Sequence, residues 1–152
     1  MEKLIELIKK GGFRIKSYDN WKMYLEEMSE MLISQGNAIE GFKEAMISRE
    51  ENFPTGLETM SLPVSIPHAD KKYVKTEMID VTLFEKPVMF HRIDSPEEEI
   101  GSYISFMLLL KESHAHMDVL RELSQLFQSE KFADIIHVKS QEELISFLKE
   151  VA

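Results

Sequence analysis

The feature that most constrains the fold is a nearly unbroken apolar run, YISFMLLLK, at residues 103–111. Its nine residues are a typical length for a β-strand. Because successive side chains of a strand point to opposite faces of the sheet, apolar residues at consecutive positions require cover on both faces. The sequence therefore predicts a strand that is buried between two layers.

Helices can supply these layers, and the first clear helical pattern follows the letters SYDN. Its apolar positions recur at intervals of 4, 3 and 4 residues: Trp21, Leu25, Met28 and Leu32. This spacing places them on one face of a helix. Ser17 and Asp19 are candidate N-caps, and Gly36 is expected to end the helix.

Three more helices are predicted further along the chain. The second covers residues 38–51, with three inward-facing positions: Ile39, Phe42 and Met46. The third covers residues 114–128, and a short KFADII segment follows it. The last opens with a capping box from Ser140 to Glu143. Its apolar positions are Leu144, Ile145 and Leu148.

Further strands lie between these helices. LPVSIPH at residues 62–68 is predicted to be one strand, and MIDVTLF and PVMFHRI, at residues 78–84 and 87–93, are predicted to be two more. Glu85, Lys86 and Pro87 are expected to break the chain between the last two. Helices interleaved with strands predict an α/β fold, a sandwich with a mixed β-sheet flanked by helices, and leave the strand order open.

Length and composition narrow the class of protein. A chain of 152 residues, 43% hydrophobic and 30% charged, is expected to form one globular domain over residues 1–152. No apolar run approaches the roughly 20 residues that cross a bilayer, and MEKLIELIKKGG lacks the features of a signal peptide. The absence of cysteine excludes disulfides, thiol catalysis and thiolate metal sites. A formal net charge of −9 argues against nucleic acid as a partner and favours a partner with a basic patch.

His68 stands where the predicted LPVSIPH strand must end. Strand side chains alternate, so His68 shares one face with the apolar residues Leu62, Val64 and Ile66. Pro67 lacks the N–H group that a sheet requires and helps to end the pairing. His68 is therefore expected at the end of a buried face.

Two other polar residues each lie at the end of an apolar stripe, that is, a row of apolar residues along one face of a helix. Arg49 lies three residues after Met46, at the C-terminal end of the second helix. His116 precedes Leu120 by four residues and Leu123 by seven, which places it on the inward side of the third helix.

If the end of the His68 strand face and the ends of these two helical stripes lie together, they form a pocket. It would hold His68, His116 and Arg49 with no obvious acidic partner, and such a pocket suits an anion. Ser113 is a candidate N-cap that would make His116 the third residue of its helix. The amide donors and the dipole at this helix N-terminus would also favour an anion.

Simpler interpretations exist for each residue. A single histidine is more often a surface or semi-buried residue than a catalyst, Arg49 could pair with Glu50 or Glu51, and Pro-Thr-Gly is common turn chemistry. His114 and His116 diverge by about 200° on a helix, so one helix cannot present both to a metal ion. No role is assigned to the two remaining histidines, His91 and His137.

The polar motifs resemble the signature of a known family. Arg49-Glu50, then FPTGL at residues 53–57 and IPHA at residues 66–69, resemble the enzyme IIA domains of the mannitol–fructose superfamily (type 2) of the phosphoenolpyruvate-dependent sugar phosphotransferase system. The spacing of 12 residues from Gly56 to His68 also matches. FMLLLKESHAHMDVLRELSQLF is similar to a second motif of that family, in which a buried strand and a short loop lead to a histidine and an apolar-periodic helix. The resemblance spans nearly the whole chain. PVMFHRIDSPEEEI is more similar to the galactitol-type branch.

The resemblance implies a cytoplasmic phosphoryl carrier. His68 would accept a phosphoryl group from the phosphohistidine of the carrier protein HPr and pass it to enzyme IIB for sugar uptake. Arg49 and His116 match the arginine and second histidine of the family and would stabilise the phosphoryl oxygens. The scheme needs no cofactor or metal, involves no nucleic acid, and reaches the membrane only through the transporter.

Several alternatives stay open at this point. The same residues would serve a regulatory phosphoacceptor that signals to a protein partner, or a module that binds an anion without catalysis. If the helix begins earlier than expected, His114 takes the place of His116; His116 is preferred because it shares the stripe with Leu120 and Leu123. The sequence does not specify the sugar, since the resemblance places sugar specificity in the membrane component.

Overall fold

The computed structural model describes residues 1–151, so Ala152 lies outside the described residues. In chain order its elements are α1 (Glu2–Lys10), β1 (Phe13–Lys16), α2 (Trp21–Ser34), α3 (Phe42–Asn52), β2 (Gly56–Leu57), β3 (Val64–Ser65), a 3₁₀ helix (Lys71–Tyr73), β4 (Met78–His91), β5 (Glu99–Leu109), α4 (Ser113–Phe127), a second 3₁₀ helix (Glu130–His137) and α5 (Gln141–Val151). The prediction of one domain over residues 1–152 stays a prediction. No helix within residues 1–151 is long and apolar enough to span a membrane.

The five strands form one mixed sheet in the order β1-β4-β5-β3-β2. The long central strands β4 and β5 pair antiparallel, β1 joins β4 in parallel, and β3 joins β5 in parallel. The short strand β2 closes the far edge antiparallel to β3. The predicted mixed sheet flanked by helices is confirmed.

The apolar run is buried on both faces over residues 104–110, as predicted, whereas Tyr103 and Lys111 at its ends are exposed. Ile104, Phe106 and Leu108 of β5 point into a core shared with α1, α4, α5 and the second 3₁₀ helix. Met107 and Leu109 point into a second core that α2 and α3 cover. The sheet therefore separates two cores, and β5 contributes to each with alternate residues.

The predicted break between two strands at residues 85–87 is wrong, because β4 runs without interruption from Met78 to His91. The pairing with β5 instead shifts its register between Leu83 and Val88. Such a bulge exposes the polar residues of the segment and accommodates Pro87, which has no N–H to give to a ladder.

The elements α1 and β1 were not predicted. Leu4, Leu7 and Ile8 of α1 are fully buried, and their spacing of three and then one residue is the signal of an amphipathic helix. The strand β1 has only four residues, and its alternation is too short to identify it from the sequence.

The boundaries of the first two predicted helices need correction. Asn20, rather than Ser17 or Asp19, caps α2, since its side chain accepts a hydrogen bond from the Met23 amide. Gly36 follows this helix in the left-handed region, at φ 79°, as a helix stop requires. The next helix, α3, begins at Phe42 rather than at residue 38.

This later start of α3 also changes what is buried. Ile39 lies before the helix and is 42% exposed, whereas Phe42 and Met46 are fully buried. Gly41 stands directly before the helix at φ 96°, where a residue with a side chain would be strained.

The start of α4 differs from the prediction by one residue. Glu112 is the N-cap and Ser113 the first helical residue, so His116 is the fourth helical residue rather than the third. Leu123 is buried, but Leu120 is 42% exposed. His116 therefore lies at the edge of the buried stripe and not along its centre.

The predicted capping box of α5 is present with one modification. The Ser140 hydroxyl accepts a hydrogen bond from the Glu143 amide at 3.1 Å. The Glu143 carboxylate accepts one from the Lys139 amide at 2.5 Å, rather than from the amide of the cap residue itself. Two of its three predicted apolar residues, Leu144 and Leu148, are fully buried.

The close approach at Gly56 provides a test of this packing. A Cβ atom at Gly56 would lie 2.6 Å from the His91 carbonyl oxygen and 2.8 Å from Ile100 Cγ2. We expect Gly56→Ala to lower the free energy of unfolding by about 1–3 kcal/mol through overpacking, measured by urea denaturation. Gly101→Ala is the control, since the nearest atom to its new Cβ would be Pro87 Cβ at 3.2 Å. Equal losses for both variants would contradict this explanation.

Candidate functional site

A cavity of about 330 Å³ opens at the C-terminal end of β5. The end of α3, the segment that follows β3 and the start of α4 complete its wall. Its lining consists of Arg49, His68, Ala69, Asp70, Lys71, Leu108, Leu110, Lys111, Glu112, Ser113 and His116. Arg49, His68 and His116, the three polar residues predicted to meet, therefore line one cavity. The placement of Arg49 on the inward face of its helix is wrong, however, because Arg49 is exposed and Glu50 is the residue that continues the buried face of α3.

The segment before His68 is less regular than predicted. Only Val64 and Ser65 pair as a strand, although Leu62 and Ile66 are buried on the same side as Val64. Beyond Ser65 the chain still follows β5, because the Leu108 amide donates a hydrogen bond to the Pro67 carbonyl at 3.0 Å. His68 therefore leaves the sheet next to the end of β5, at the mouth of the cavity.

The His68 imidazole is held by the main chain. Its Nδ1 lies 2.9 Å from the Ile66 carbonyl oxygen. A carbonyl oxygen only accepts hydrogen bonds, so Nδ1 carries the proton and Nε2 keeps a free lone pair in the neutral ring. The contact thus selects the tautomer that can act as a nucleophile through Nε2.

The surroundings of His68 keep its ring neutral. Partial burial lowers the pKa of His68 below its ordinary value of 6.5, and the nearby Arg49 and His116 lower it further. The hydrogen bond to Ile66 acts in the opposite direction but does not outweigh them. The imidazole is therefore a neutral base near pH 7.

His116 faces His68 across the cavity. The two ring centroids are 6.4 Å apart and the ring planes meet at 77°. His114, two residues earlier on the same helix, is exposed and is not part of the cavity lining. Of the two histidines considered from the sequence, His116 is the one in the cavity.

Arg49 keeps its charge available to the cavity. Its guanidinium stacks against the Phe53 ring, with Cζ 5.7 Å from the ring centroid. The carboxylates considered as partners are engaged elsewhere: Glu51 pairs with Lys22 at 2.9 Å, and Glu50 binds Thr55. Within residues 1–151, Arg49 forms no ion pair.

A buried carboxylate behind His68 was not identified from the sequence. The side chain of Glu50, whose residue is only 4% exposed, accepts hydrogen bonds from the Thr55 amide at 2.7 Å and the Thr55 hydroxyl at 2.9 Å. Burial raises the pKa of Glu50 to about 7, even though Thr55 and Arg49 favour its charged form. The sequence signal was available, because Glu50 lies four residues after the buried Met46 on the same helical face.

Thr55 continues this network toward the histidine. Its hydroxyl oxygen accepts a hydrogen bond from the Ile66 amide at 3.2 Å. The carbonyl of the same residue, Ile66, accepts the hydrogen bond from His68 Nδ1. The Pro-Thr-Gly segment therefore does more than form a turn.

A second carboxylate organises the opposite wall. Glu77 accepts hydrogen bonds from the amides of Lys111 and Glu112 at 2.6 and 3.0 Å. Partial burial would raise the pKa of Glu77, but these two amides and the charges of nearby lysines lower it overall. Glu77 thereby fixes the loop that leads from β5 into α4.

The charges of the cavity favour a small anion. Three cationic residues line it, Arg49, Lys71 and Lys111, against two carboxylates, Asp70 and Glu112. The Asp70 carboxylate is already occupied, since it accepts a hydrogen bond from the Lys72 amide at 2.9 Å. The arrangement can therefore hold an anion beside a nucleophilic imidazole nitrogen.

Comparison with solved structures places this fold among phosphotransferase IIA proteins. The nitrogen regulatory protein IIA-Ntr from Neisseria meningitidis is 23% identical, with a TM-score of 0.74, over 95% of this chain and 97% of that chain. The mannitol-specific cryptic phosphotransferase enzyme IIA CmtB from Escherichia coli is 17% identical, with a TM-score of 0.72, over 97% and 99%. The mannitol enzyme IIA of Escherichia coli, solved in complex with phosphorylated enzyme IIB, is 17% identical, with a TM-score of 0.69, over 90% and 94%.

The sequence itself identifies the family. The family model for the phosphoenolpyruvate-dependent sugar phosphotransferase system, EIIA 2, matches residues 6–151. The chain belongs to this family, as the resemblance of its motifs predicted. A comparison with curated protein sequences found no match. Membership of the family supports a role in phosphoryl transfer.

The lowered pKa of His68 leads to a testable titration. Between its folded pKa and 6.5, the unfolded chain binds more protons at this residue than the folded chain. Its contribution to the free energy of unfolding therefore rises with pH across that window and is constant above 6.5. We expect an NMR titration of the His68 ring to give a midpoint below 6.5. A midpoint at or above 6.5 would contradict the proposed burial effect.

The contribution of Glu50 to the free energy of unfolding changes with pH in the opposite direction. Because its folded pKa of about 7 exceeds the ordinary 4.5, its neutral form stabilises the protein below pH 4.5 and this contribution is lost as the pH rises through 7. We expect the wild-type protein to lose about 3 kcal/mol of stability relative to Glu50→Gln over that range, at about 1.4 kcal/mol per pH unit. Urea denaturation of both proteins at pH 4.5, 6 and 8 measures the difference. Parallel stability profiles would refute the assignment.

Proposed function

We propose that this protein is a phosphoryl carrier of a sugar phosphotransferase system, with His68 as the residue that is phosphorylated. The observation that carries the proposal is the 2.9 Å contact between His68 Nδ1 and the Ile66 carbonyl oxygen, which leaves the Nε2 lone pair free beside an anion-binding cavity. The family membership supports the same chemistry.

In this proposal, Nε2 of His68 attacks the phosphorus of a phosphohistidine on the donor. The new N–P bond forms as the N–P bond of the donor breaks, and the donor imidazole leaves with the bonding electron pair. The phosphorylated His68 ring keeps its proton on Nδ1, where the Ile66 carbonyl stabilises the positive charge that develops. Transfer in the next step reverses these events toward the acceptor.

Arg49 and His116 are proposed to stabilise the equatorial oxygens of the transferring group. Phosphoryl transfer needs positioning and charge stabilisation more than covalent help from the protein. The guanidinium of Arg49 presents several donors in one plane, which suits an anionic phosphoryl group. We propose that neither a metal nor another cofactor takes part.

HPr is the proposed donor and enzyme IIB the proposed acceptor. The motifs imply the donor, and the structure of mannitol enzyme IIA in complex with phosphorylated enzyme IIB supports the acceptor by analogy. A net charge of −9 favours docking of a basic partner surface. The cytoplasm is the proposed location, nucleic acid is not a proposed partner, and a galactitol or fructose type of system remains a prediction.

A regulatory phosphoacceptor is the second candidate. It is favoured by the structural similarity to IIA-Ntr of Neisseria meningitidis, a nitrogen regulatory protein. A protein partner that binds only one phosphorylation state of this chain would support that function. Phosphoryl transfer from this chain to an enzyme IIB would support the carrier.

Phosphorylation provides the direct test. We expect the purified protein, incubated with phosphoenolpyruvate, enzyme I and HPr, to gain one phosphoryl group that is lost in acid, as measured by intact-mass spectrometry. His68→Ala should gain none, because it lacks the nucleophile. His137→Ala is the control, since this exposed histidine is not part of the cavity lining. A phosphate complex that never becomes covalent would favour a non-catalytic anion-binding module.

The two stabilising residues should affect the rate of transfer rather than the fold. We expect Arg49→Ala and His116→Ala each to slow phosphorylation about 10²-fold, the cost of removing one donor to a developing oxyanion. Quenched-flow measurement of phosphoryl transfer from phospho-HPr tests this expectation, and circular dichroism verifies folding. His114→Ala, two residues from His116, should transfer at the wild-type rate. Wild-type transfer by a folded double variant of Arg49 and His116 would refute the role of the pair.

A further inference from the structure

We propose that Thr55 is a positioning residue for His68, with its buried hydroxyl held by Glu50 and bound to the Ile66 peptide that orients the imidazole. The inference rests on the proposed function, in which the orientation of His68 sets the rate of phosphoryl transfer.

The network joins three parts of the chain in an unbroken order. The Thr55 hydroxyl donates to the Glu50 carboxylate at 2.9 Å and accepts from the Ile66 amide at 3.2 Å. The Ile66 carbonyl then accepts from His68 Nδ1 at 2.9 Å. Movement of the Ile66 peptide would therefore change both the position of the imidazole and the preference for its tautomer.

The sheet brings Thr55 opposite Ile66. In the antiparallel pairing of β2 with β3, Gly56 lies opposite Ser65, so Thr55 and Ile66 occupy the next position of the register. The absence of a side chain at Gly56 lets this edge approach the His91 carbonyl closely. At this position the Thr55 hydroxyl, rather than a main-chain carbonyl, accepts the hydrogen bond that the Ile66 amide donates.

The burial of Thr55 and Glu50 allows a positioning role to be distinguished from a role in docking a protein partner. Thr55 is 3% exposed and Glu50 is 4% exposed, so a protein partner at the cavity cannot contact either side chain. A change at Thr55 should alter the turnover of bound phospho-HPr and leave its KM unchanged. A residue of the docking surface would instead alter KM.

The decisive variants are Thr55→Val and Thr55→Ser. Valine keeps the shape of threonine and removes the hydroxyl, whereas serine keeps the hydroxyl. In an assay that includes enzyme IIB as acceptor, so that His68 is freed after each transfer, we expect Thr55→Val to lower kcat with phospho-HPr as donor about 10- to 100-fold, with KM unchanged. This is the range for a small misplacement of a reacting group. Thr55→Ser should restore most of the turnover.

Thr59→Val is the matched control. The Thr59 hydroxyl also binds main-chain groups, but within the loop between β2 and β3. It donates to the Leu62 carbonyl at 2.7 Å and accepts from the Leu62 amide at 2.9 Å. None of its hydrogen bonds involves Ile66 or His68. Wild-type kcat in Thr59→Val, together with the loss in Thr55→Val, supports the inference. Equal losses in both variants, or wild-type kcat in Thr55→Val, overturn it.

A measurement without any partner separates this inference from the proposed function. In ¹⁵N NMR spectra of the protein alone at pH 8, the His68 ring should carry its proton on Nδ1 in the wild type and in Thr55→Ser. The Nδ1-protonated fraction should fall in Thr55→Val. If phospho-HPr does not phosphorylate the wild type, the proposed function fails, and an unchanged tautomer in Thr55→Val overturns the positioning role independently.

Glu50→Gln keeps the inference testable if Thr55→Val does not fold. This variant retains the Thr55 hydroxyl and removes the charged acceptor that holds it, so a smaller decrease in kcat than that expected for Thr55→Val is predicted. A folded Glu50→Gln protein with both the wild-type turnover and the wild-type His68 tautomer overturns the inference.

Discussion

The antiparallel pairing of β4 with β5 is the constraint on which the rest of the structure depends. It places β5 inside the sheet, where its alternate residues supply two separate cores. At its C-terminal end, β5 pairs with the segment that carries His68 and then leads directly into α4, which carries His116. The strand that requires two layers of cover thus also brings the two histidines to the same end of the sheet.

Two carboxylates fix the walls of the cavity through main-chain amides. Glu50 holds Thr55 and through it Ile66, on the His68 side. Glu77 holds the amides of Lys111 and Glu112, at the entrance to α4. Burial of the Glu50 carboxylate is costly unless its oxygens are bonded, so it specifies one arrangement of its loop. Glu77 is only half-buried, and it specifies the other loop through its hydrogen bonds to two successive amides. The cavity is shaped by these contacts as much as by the side chains that line it.

The same cavity holds positive charge and a neutral imidazole. Burial opposes protonation of His68 most strongly, and the charge of Arg49, which favours an anion, acts in the same direction. The Ile66 carbonyl keeps the ring proton on Nδ1. An environment that favours an anion therefore also keeps the proposed nucleophile unprotonated.

The sequence by itself determined the fold class and pointed to three residues that line one cavity. Periodicity shows which residues of an element are apolar, and His68, Arg49 and His116 stand at the ends of such patterns. Only the tertiary structure decided the continuous strand β4, the exposure of Leu120, and the partners of Glu50 and Glu77. The physical reason is that periodicity reports on one element at a time, whereas a hydrogen bond such as that from Lys111 to Glu77, 34 residues apart, exists only after the elements have packed.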